Sequence, residues 1–298
     1  MQGCPKHPWR ALALITTLAG MVILLSTPVQ AEGLRLTSAD GKPLNAEYQP
    51  GDTRRPAVLV LHGFLQTREF LTTQSIINGL ASMGNGILSP NLSLGVADRQ
   101  QSMQCQAPHQ NTLEDDLREI DVWVRWLREK GYPSVIIVGH SWGSQHGLGY
   151  ADAYPKAPIA AVVGVSLVRT EQSPRVIARQ SAAAKGRLTR RDAALHPYAL
   201  SYCKDYMAKP EAYLSYARWS DAHVLEVLAR LNKRQVPVYV LLGSRDKRSD
   251  HAWAKALRVS ASQVLVVEGA NHFFSSLHEF ELSERLEVIL ARLNTAAR

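Results

Sequence analysis

The chain has 298 residues, of which 46% are hydrophobic, and a formal net charge of +8. This size suits one domain with a full core, with or without an inserted subdomain, and the composition excludes extensive disorder. No aromatic-interleaved basic motif or helix-turn-helix signal accompanies the charge, so we expect no nucleic acid partner. The sequence has no H-E-x-x-H, paired C-x-x-C or dinucleotide fingerprint, so we expect neither a metal nor a cofactor.

The N-terminus predicts an export signal. Lys6 and Arg10 precede an acid-free apolar stretch over 11–25, and small residues then occupy the positions of a cleavage site. The alternative is an uncleaved membrane anchor, but the stretch is shorter than the roughly 20 residues that span a bilayer. We therefore expect residues 1–31 to be a cleaved signal peptide, a mature chain that starts at Glu32, and a periplasmic or secreted location.

The rest of the chain predicts alternating strands and helices. A hairpin is expected within 34–49, and the clearest helix is 112–130, with acids at its start, bases at its end and a glycine stop. Continuous apolar runs are typical of strands buried on both faces of a parallel sheet. The alternation predicts a three-layer α/β sandwich. The apolar runs are 57–61, 135–138, 159–165, 236–242 and 264–267.

One region interrupts this alternation. Residues 169–234 contain no strand-like run, so we predict a helical cap inserted over the carboxyl ends of the strands, between core segments 32–168 and 235–298. Several tyrosines in the insertion either line an acyl or aryl pocket or form a packing stripe. The spacing of Tyr198, Tyr202 and Tyr206, four residues apart, favours one stripe of a cap helix.

The predicted cap is also basic. Seven basic residues and a single acid, Glu171, lie between positions 169 and 191. Such a run is typical of a solvated helix face, and contact with an anionic lipid or polysaccharide surface is the alternative.

Two cysteines, Cys105 and Cys203, remain after the presequence. In an exported chain, two remaining thiols favour a disulfide, which here would tie the loop after the fourth strand to the insertion. Free thiols stay open as the alternative, because the sequence does not give their separation in space.

A serine pentapeptide follows the apolar run at 135–138. This G-x-S-x-G sequence, between a buried strand and the helix-compatible stretch 144–154, indicates a nucleophile elbow, a tight turn that lifts a serine hydroxyl out of the backbone. A strained turn would pack its two glycines against each other and against the following helix. The five residues are Gly139, His140, Ser141, Trp142 and Gly143.

A serine nucleophile needs a base, and the base needs a carboxylate that orients it. His272 follows the last apolar run, before a closing helix expected at 275–293, and Asp246 follows the run that ends at Leu242. With Ser141 they have the chain order Ser, Asp, His, and all three follow strands at the edge where open parallel sheets place their sites.

Other residues compete for these roles. Asp250 is the rival acid, but its position suits the N-terminus of the next helix. Strand-end geometry would turn Glu268 away from the site. We expect His140 to pack beneath the elbow, because a residue adjacent in the turn does not fold back easily onto its neighbour's hydroxyl.

The oxyanion of an acyl-transfer intermediate needs backbone N–H donors. One should come from Trp142, directly after the serine. The other should come from Phe64, because His62-Gly63 directly follows the third strand and Gly63 permits an unusual backbone path.

In this order and context, the motifs resemble the α/β-hydrolase superfamily from about residue 56 to 293, apart from the cap. The resemblance implies an eight-stranded, mostly parallel sheet, with Ser141 as nucleophile, His272 as base and Asp246 as its orienter. The elbow is also similar to those of esterases and of prolyl-type aminopeptidases. We expect an exported, cofactor-independent serine hydrolase that cleaves a small-molecule carboxylic ester through an acyl-enzyme.

Two alternatives remain. A non-catalytic binding protein can share the fold, although such proteins usually lose the elbow or a member of the triad. An aminopeptidase or amidase would need an acidic anchor in the cap, against which the basic surplus argues. The candidate anchors are Glu171, Asp192, Asp205, Glu211 and Asp221.

Overall fold

The computed structural model describes residues 1–3, 31–261 and 263–296. Most of the predicted signal peptide lies outside the described residues. Within those ranges, no helix is both long enough and apolar enough to cross a membrane.

The described chain contains ten strands and eight α-helices, besides one short 3-10 helix at Ala81–Met83. The strands are β1 (Glu32–Thr37), β2 (Pro43–Gln49), β3 (Ala57–Leu61), β4 (Ile87–Asn91), β5 (Val135–His140), β6 (Ile159–Val165), β7 (His196–Leu200), β8 (Cys203–Ala208), β9 (Val238–Gly243) and β10 (Gln263–Val267). The helices are α1 (Leu71–Leu80), α2 (Leu113–Glu129), α3 (Trp142–Ala153), α4 (Pro174–Thr189), α5 (Pro210–Ala217), α6 (Asp221–Lys233), α7 (His251–Ser260) and α8 (His278–Ala296).

Eight strands form one sheet in the order β1-β2-β4-β3-β5-β6-β9-β10. Strand β2 is antiparallel to both of its neighbours, and every other pair of neighbouring strands in this sheet is parallel. This confirms the predicted eight-stranded, mostly parallel sheet. The carboxyl ends of β3, β5, β6 and β9 lie next to one another, and this edge positions the site.

Hydrophobic side chains cover both faces of the sheet, which confirms the three-layer arrangement. Along β3, Val58 and Val60 belong to a cluster that includes residues of α1 and α8. Leu59 and Leu61 belong to a second cluster, with residues of α2, α3, α6 and α7. Successive residues of a strand point to opposite faces, so a strand covered on both faces is apolar at every position.

The clearest predicted helix begins at a complete capping box. Thr112 accepts a hydrogen bond from the backbone of Asp115, and the Asp115 carboxylate accepts one from the backbone of Thr112. Two of the N–H groups left free at the start of α2 are thereby satisfied.

The insertion after β6 is not purely helical, and the expected packing stripe of a cap helix is wrong. Tyr198 lies in β7, Tyr202 in the following turn and Tyr206 in β8, and these strands form an antiparallel hairpin. Tyr198 and Tyr206, predicted two turns apart on one helix, are cross-strand partners. The Tyr198 ring stacks on Tyr213 with the centroids 4.1 Å apart. The packing of both strands against the rest of the chain stabilises a hairpin here, although the four-residue spacing of the tyrosines favours a helix.

The hairpin is joined to the loop after β4. Cys203 at the start of β8 is disulfide-bonded to Cys105, with the Cα atoms 5.6 Å apart. The backbone N–H of Met207 donates to the Cys105 carbonyl, and the N–H of His109 donates to the Met207 carbonyl. The loop and the cap hairpin therefore form one connected unit above the sheet.

Candidate active site

Ser141 lies at the sharp turn between β5 and α3. Its backbone has φ +55° and ψ −121°, a strained conformation for a residue with a side chain, and its N–H donates to the Val165 carbonyl at 2.8 Å. The turn places the side chain at the carboxyl end of β5 and at the start of a helix.

The two glycines of the elbow have no room for a side chain. A Cβ on Gly139 would lie 2.2 Å from the carbonyl carbon of Gly143. A Cβ on Gly143 would lie 2.4 Å from the carbonyl oxygen of Leu61, so its close neighbour is the end of β3 rather than the following helix. The elbow is thus wedged between two backbone segments, as a tight strand-to-helix turn requires.

The structure brings the three predicted catalytic side chains together. His272 Nε2 lies 3.0 Å from Ser141 Oγ, and His272 Nδ1 lies 2.8 Å from Asp246 Oδ2. Asp246 is fully buried at its side chain, and its Oδ1 accepts the backbone N–H of Arg248 at 2.8 Å. This is the geometry in which an imidazole takes the serine proton while a carboxylate fixes its tautomer.

Two further side chains hold the backbone of His272. His140 Nε2 lies 3.1 Å from the His272 carbonyl, and Ser166 Oγ donates to the same carbonyl at 2.7 Å. Burial lowers the pKa of His140 to about 3, so its ring is neutral. His140 therefore lies beneath the elbow and holds the backbone of His272, the expected base. Sequence reasoning missed Ser166, although it directly follows β6 at the same edge of the sheet.

The loop after β3 is held by an imidazole whose tautomer can be assigned. His62 Nε2 lies 3.1 Å from the Leu92 N–H and 2.9 Å from Arg99 Nη2, both of which are donors. His62 Nδ1 must then carry the proton, and it donates to the Gly63 carbonyl at 2.9 Å. Burial, followed by the charge of Arg99, holds the pKa of His62 well below its usual range.

This contact orients the expected oxyanion donor. The Gly63 carbonyl and the Phe64 N–H belong to one trans peptide, so the carbonyl that His62 holds sets the opposite direction of the N–H. Within the described ranges, the backbone N–H groups of Phe64 and Trp142 donate to no protein acceptor. Their rings are neighbours, with centroids 5.5 Å apart. One of these donors directly follows the serine, and the other lies in the loop after β3, next to the Trp142 ring.

The rival residues have other contacts. Asp250 caps α7 by accepting the Trp253 N–H at 2.8 Å, and it pairs with Arg169. Glu268 is exposed. His146, another buried imidazole, binds the buried Asp116 at 2.9 Å. In the part of the chain that the structure describes, no three His, Cys, Asp or Glu side chains gather as a metal site.

Fold and site together define an α/β-hydrolase in which a serine, a histidine and an aspartate are aligned at the carboxyl edge of the sheet. A family model described as "Alpha/beta hydrolase family" matches residues 58–285, and the chain belongs to this family. A search among curated proteins found no match.

Solved structures of the same fold are similar over almost their whole length. The α/β hydrolase GrgF from Penicillium sp. sh18 is 14% identical with a TM-score of 0.67, over 89% of this chain and 99% of that one. Est1E from Butyrivibrio proteoclasticus, with bound ferulic acid, is 16% identical with a TM-score of 0.64, over 88% and 99%. A thermophilic esterase from Thermogutta terrifontis is 17% identical with a TM-score of 0.59, over 89% and 99%.

Proposed function

We propose that this protein is a serine hydrolase that cleaves carboxylic esters of small molecules through an acyl-enzyme. The observation that carries the proposal is the pair of contacts at His272, 3.0 Å to Ser141 and 2.8 Å to Asp246. The similarity to the Thermogutta terrifontis esterase is consistent with an ester substrate.

In the first half of the reaction, His272 Nε2 takes the proton of Ser141 while Oγ attacks the ester carbonyl carbon. The carbonyl oxygen becomes an oxyanion that accepts hydrogen bonds from the N–H groups of Phe64 and Trp142. Collapse of the intermediate breaks the bond to the alkoxy oxygen, and His272 gives its proton to the leaving alcohol. An acyl group remains on Ser141.

In the second half, water takes the place of the alcohol. His272 removes a proton from the water, the resulting hydroxide attacks the acyl carbon, and collapse returns the proton to Ser141 and frees the carboxylic acid. Asp246 stays ionised throughout and stabilises the imidazolium that forms in each half.

The test is hydrolysis of p-nitrophenyl acetate and butyrate by the wild type and by Ser141→Ala, with folding checked by circular dichroism. We expect turnover by the wild type and none above background by the variant. Equal rates would reject the proposal. An aminopeptidase would instead cleave proline p-nitroanilide faster than either ester.

We also propose that the protein is exported and cleaved before Glu32. The first strand of the sheet begins at that residue, and a Cys105–Cys203 bond suits an oxidising compartment. N-terminal sequencing of protein from the periplasm or the medium should give a start at Glu32. A start at Met1 in a membrane fraction would contradict export with cleavage.

We further propose that the basic helix α4 of the cap contacts an anionic surface, the alternative to a solvated helix face. Arg175, Arg179 and Lys185 are exposed on this helix. Their positive charge would attract anionic headgroups, and the attraction would weaken with salt. Co-sedimentation with phosphatidylglycerol vesicles, but not with phosphatidylcholine vesicles, is expected at low salt. If the protein binds neither kind of vesicle, the proposed contact is wrong and α4 is a solvated helix face.

A further inference from the structure

A circuit of side-chain contacts begins and ends at the Ser141 elbow. It passes through Trp142, Phe64, Tyr202, Arg248, Phe273 and His272. Ring centroids are 5.5 Å apart for Trp142 and Phe64, 5.6 Å for Phe64 and Tyr202, and 5.0 Å for Phe273 and His272. The guanidinium carbon of Arg248 lies 5.6 Å from the Tyr202 centroid and 5.9 Å from the Phe273 centroid.

We call these six side chains the rim. Tyr202 comes from the turn of the cap hairpin, and its hydroxyl donates to the Phe64 carbonyl at 3.3 Å. Arg248 comes from the loop after β9, two residues beyond Asp246. The rim therefore closes only when the cap and the core are in place.

Arg248 supplies the permanent charge of the rim. Its guanidinium lies over the rings of Tyr202 and Phe273, which stabilise a cation through their π faces. Its Nε lies 3.1 Å from Glu171 Oε1, and its side chain is 28% exposed. Among the described residues, Nη1 and Nη2 donate no hydrogen bond. Both rings lie within 6 Å of the guanidinium carbon, and Nη1 and Nη2 remain as donors for an incoming acceptor.

We propose that Arg248 binds a carboxylate on the substrate, so that the preferred substrates are esters bearing a second, ionised carboxyl group. A guanidinium can donate two parallel hydrogen bonds to one carboxylate, whereas a neutral alkyl chain accepts no hydrogen bond. The aromatic side chains of the rim would contact the carbon chain between the two groups. The inference rests on the proposed ester hydrolysis and deepens it, because it assigns the substrate class.

The carboxylate of Glu171 would compete with the substrate carboxylate for Arg248. Its Oε2 accepts the Ser201 hydroxyl, and a glutamine could keep that contact. Removing its charge should strengthen the attraction between Arg248 and a substrate carboxylate. Changes at Arg248 and Glu171 are therefore expected to act in opposite directions, which general damage to the rim would not produce.

The experiment compares kcat/KM for two p-nitrophenyl esters, the glutarate monoester and the pentanoate, at low salt and neutral pH. They share the leaving group and a five-carbon acyl chain, which ends in a carboxylate in one and a methyl group in the other. The readout is the ratio of the two kcat/KM values. The variants are Arg248→Met, Glu171→Gln and, as matched control, Arg245→Met, which removes an exposed cation from the same loop.

We expect the wild type to have a higher kcat/KM for the glutarate monoester than for the pentanoate. Arg248→Met should lower the ratio of glutarate to pentanoate at least tenfold, and Glu171→Gln should raise it. The control Arg245→Met should leave the ratio within twofold of the wild type. A wild-type preference for pentanoate, or equal loss on both esters in Arg248→Met, would overturn the inference while leaving ester hydrolysis intact. Failure of the proposed function is a separate outcome, because then neither ester is cleaved in a Ser141-dependent manner.

Discussion

His140 and His272 are joined by a hydrogen bond from a ring to a backbone: His140 Nε2 lies 3.1 Å from the carbonyl oxygen of His272. A carbonyl only accepts, so His140 Nε2 carries the proton. Nδ1 is buried with no hydrogen-bond partner among the residues that the structure describes, and it carries no proton. A neutral histidine beside the nucleophile thus holds the backbone of the expected base.

This relationship predicts a pH dependence of stability. The pKa of His140 is lowered from 6.5 to about 3 in the folded protein by burial. Between about pH 6.5 and pH 3, the His140 imidazole is therefore protonated in the unfolded chain and unprotonated in the folded chain. Above about pH 6.5, the neutral His140 makes its full contribution to the free energy of unfolding. This contribution falls as the pH is lowered toward 3, and the loss at pH 4.5 is roughly 2–3 kcal/mol.

Urea unfolding at pH 7 and pH 4.5 measures this loss. His140→Gln keeps a donor for the His272 carbonyl and removes the titrating group, so its free energy of unfolding should fall by roughly 2–3 kcal/mol less than that of the wild type. His251→Gln, at an exposed histidine, is the control and should follow the wild type. Parallel losses in His140→Gln and the wild type would show that His140 does not titrate in this way.

The second prediction separates the two neighbouring aspartates. Asp246→Asn removes the negative charge that orients His272, and we expect kcat for p-nitrophenyl butyrate to fall by about 10⁴-fold. Asp250→Asn should leave kcat unchanged, because Asp250 caps α7 and an asparagine also caps a helix. Stopped-time assays with both purified variants make the comparison. A reversed order of losses would assign the acid to Asp250.

The sequence was sufficient to predict that three particular side chains come together, because each of them follows a strand of the parallel sheet. Continuous apolar runs mark such strands, and their carboxyl ends meet at one edge, so the positions of Ser141, Asp246 and His272 followed from local patterns. Ser166 obeys the same rule. It was missed because a single serine after an apolar run carries no pattern that distinguishes it from a loop residue.

The cap hairpin and the rim could not be predicted in this way. Strand β8 has exposed lysine and aspartate at adjacent positions, so its alternation is broken, and its pairing depends on contacts with a loop about 100 residues earlier. Tyr202 and Arg248 lie in separate segments. Their contact exists only after the cap has packed on the core.

The third prediction concerns the close approach of the elbow glycines. Gly139→Ala would force a Cβ to 2.2 Å from backbone atoms of Gly143, which cannot move without unwinding α3. We expect a loss of about 3 kcal/mol or more in the free energy of unfolding, or no soluble protein. Gly33→Ala in β1, where a Cβ would meet nothing within 4 Å, should be close to neutral. Thermal denaturation of both variants decides this, and a stable Gly139→Ala protein would contradict the tight turn.

The fourth prediction concerns the disulfide between the cap hairpin and the loop after β4. Mass mapping without reductant should find the Cys105 and Cys203 peptides joined, and reductant should separate them. The double variant Cys105→Ser, Cys203→Ser should unfold with about 2–5 kcal/mol less free energy, because the bond closes a long loop. Free thiols at both positions in exported protein would refute the bond.

Labelling with a fluorophosphonate probe, followed by peptide mass mapping, tests the proposed catalytic serine most directly. Nucleophilic attack on the phosphorus needs an activated serine, so we predict one adduct, on Ser141. The adduct should be absent from Ser141→Ala and strongly reduced in His272→Ala. Folded wild-type protein that takes up no label, or that carries it on another residue, would contradict the claim that Ser141, His272 and Asp246 form a working catalytic site.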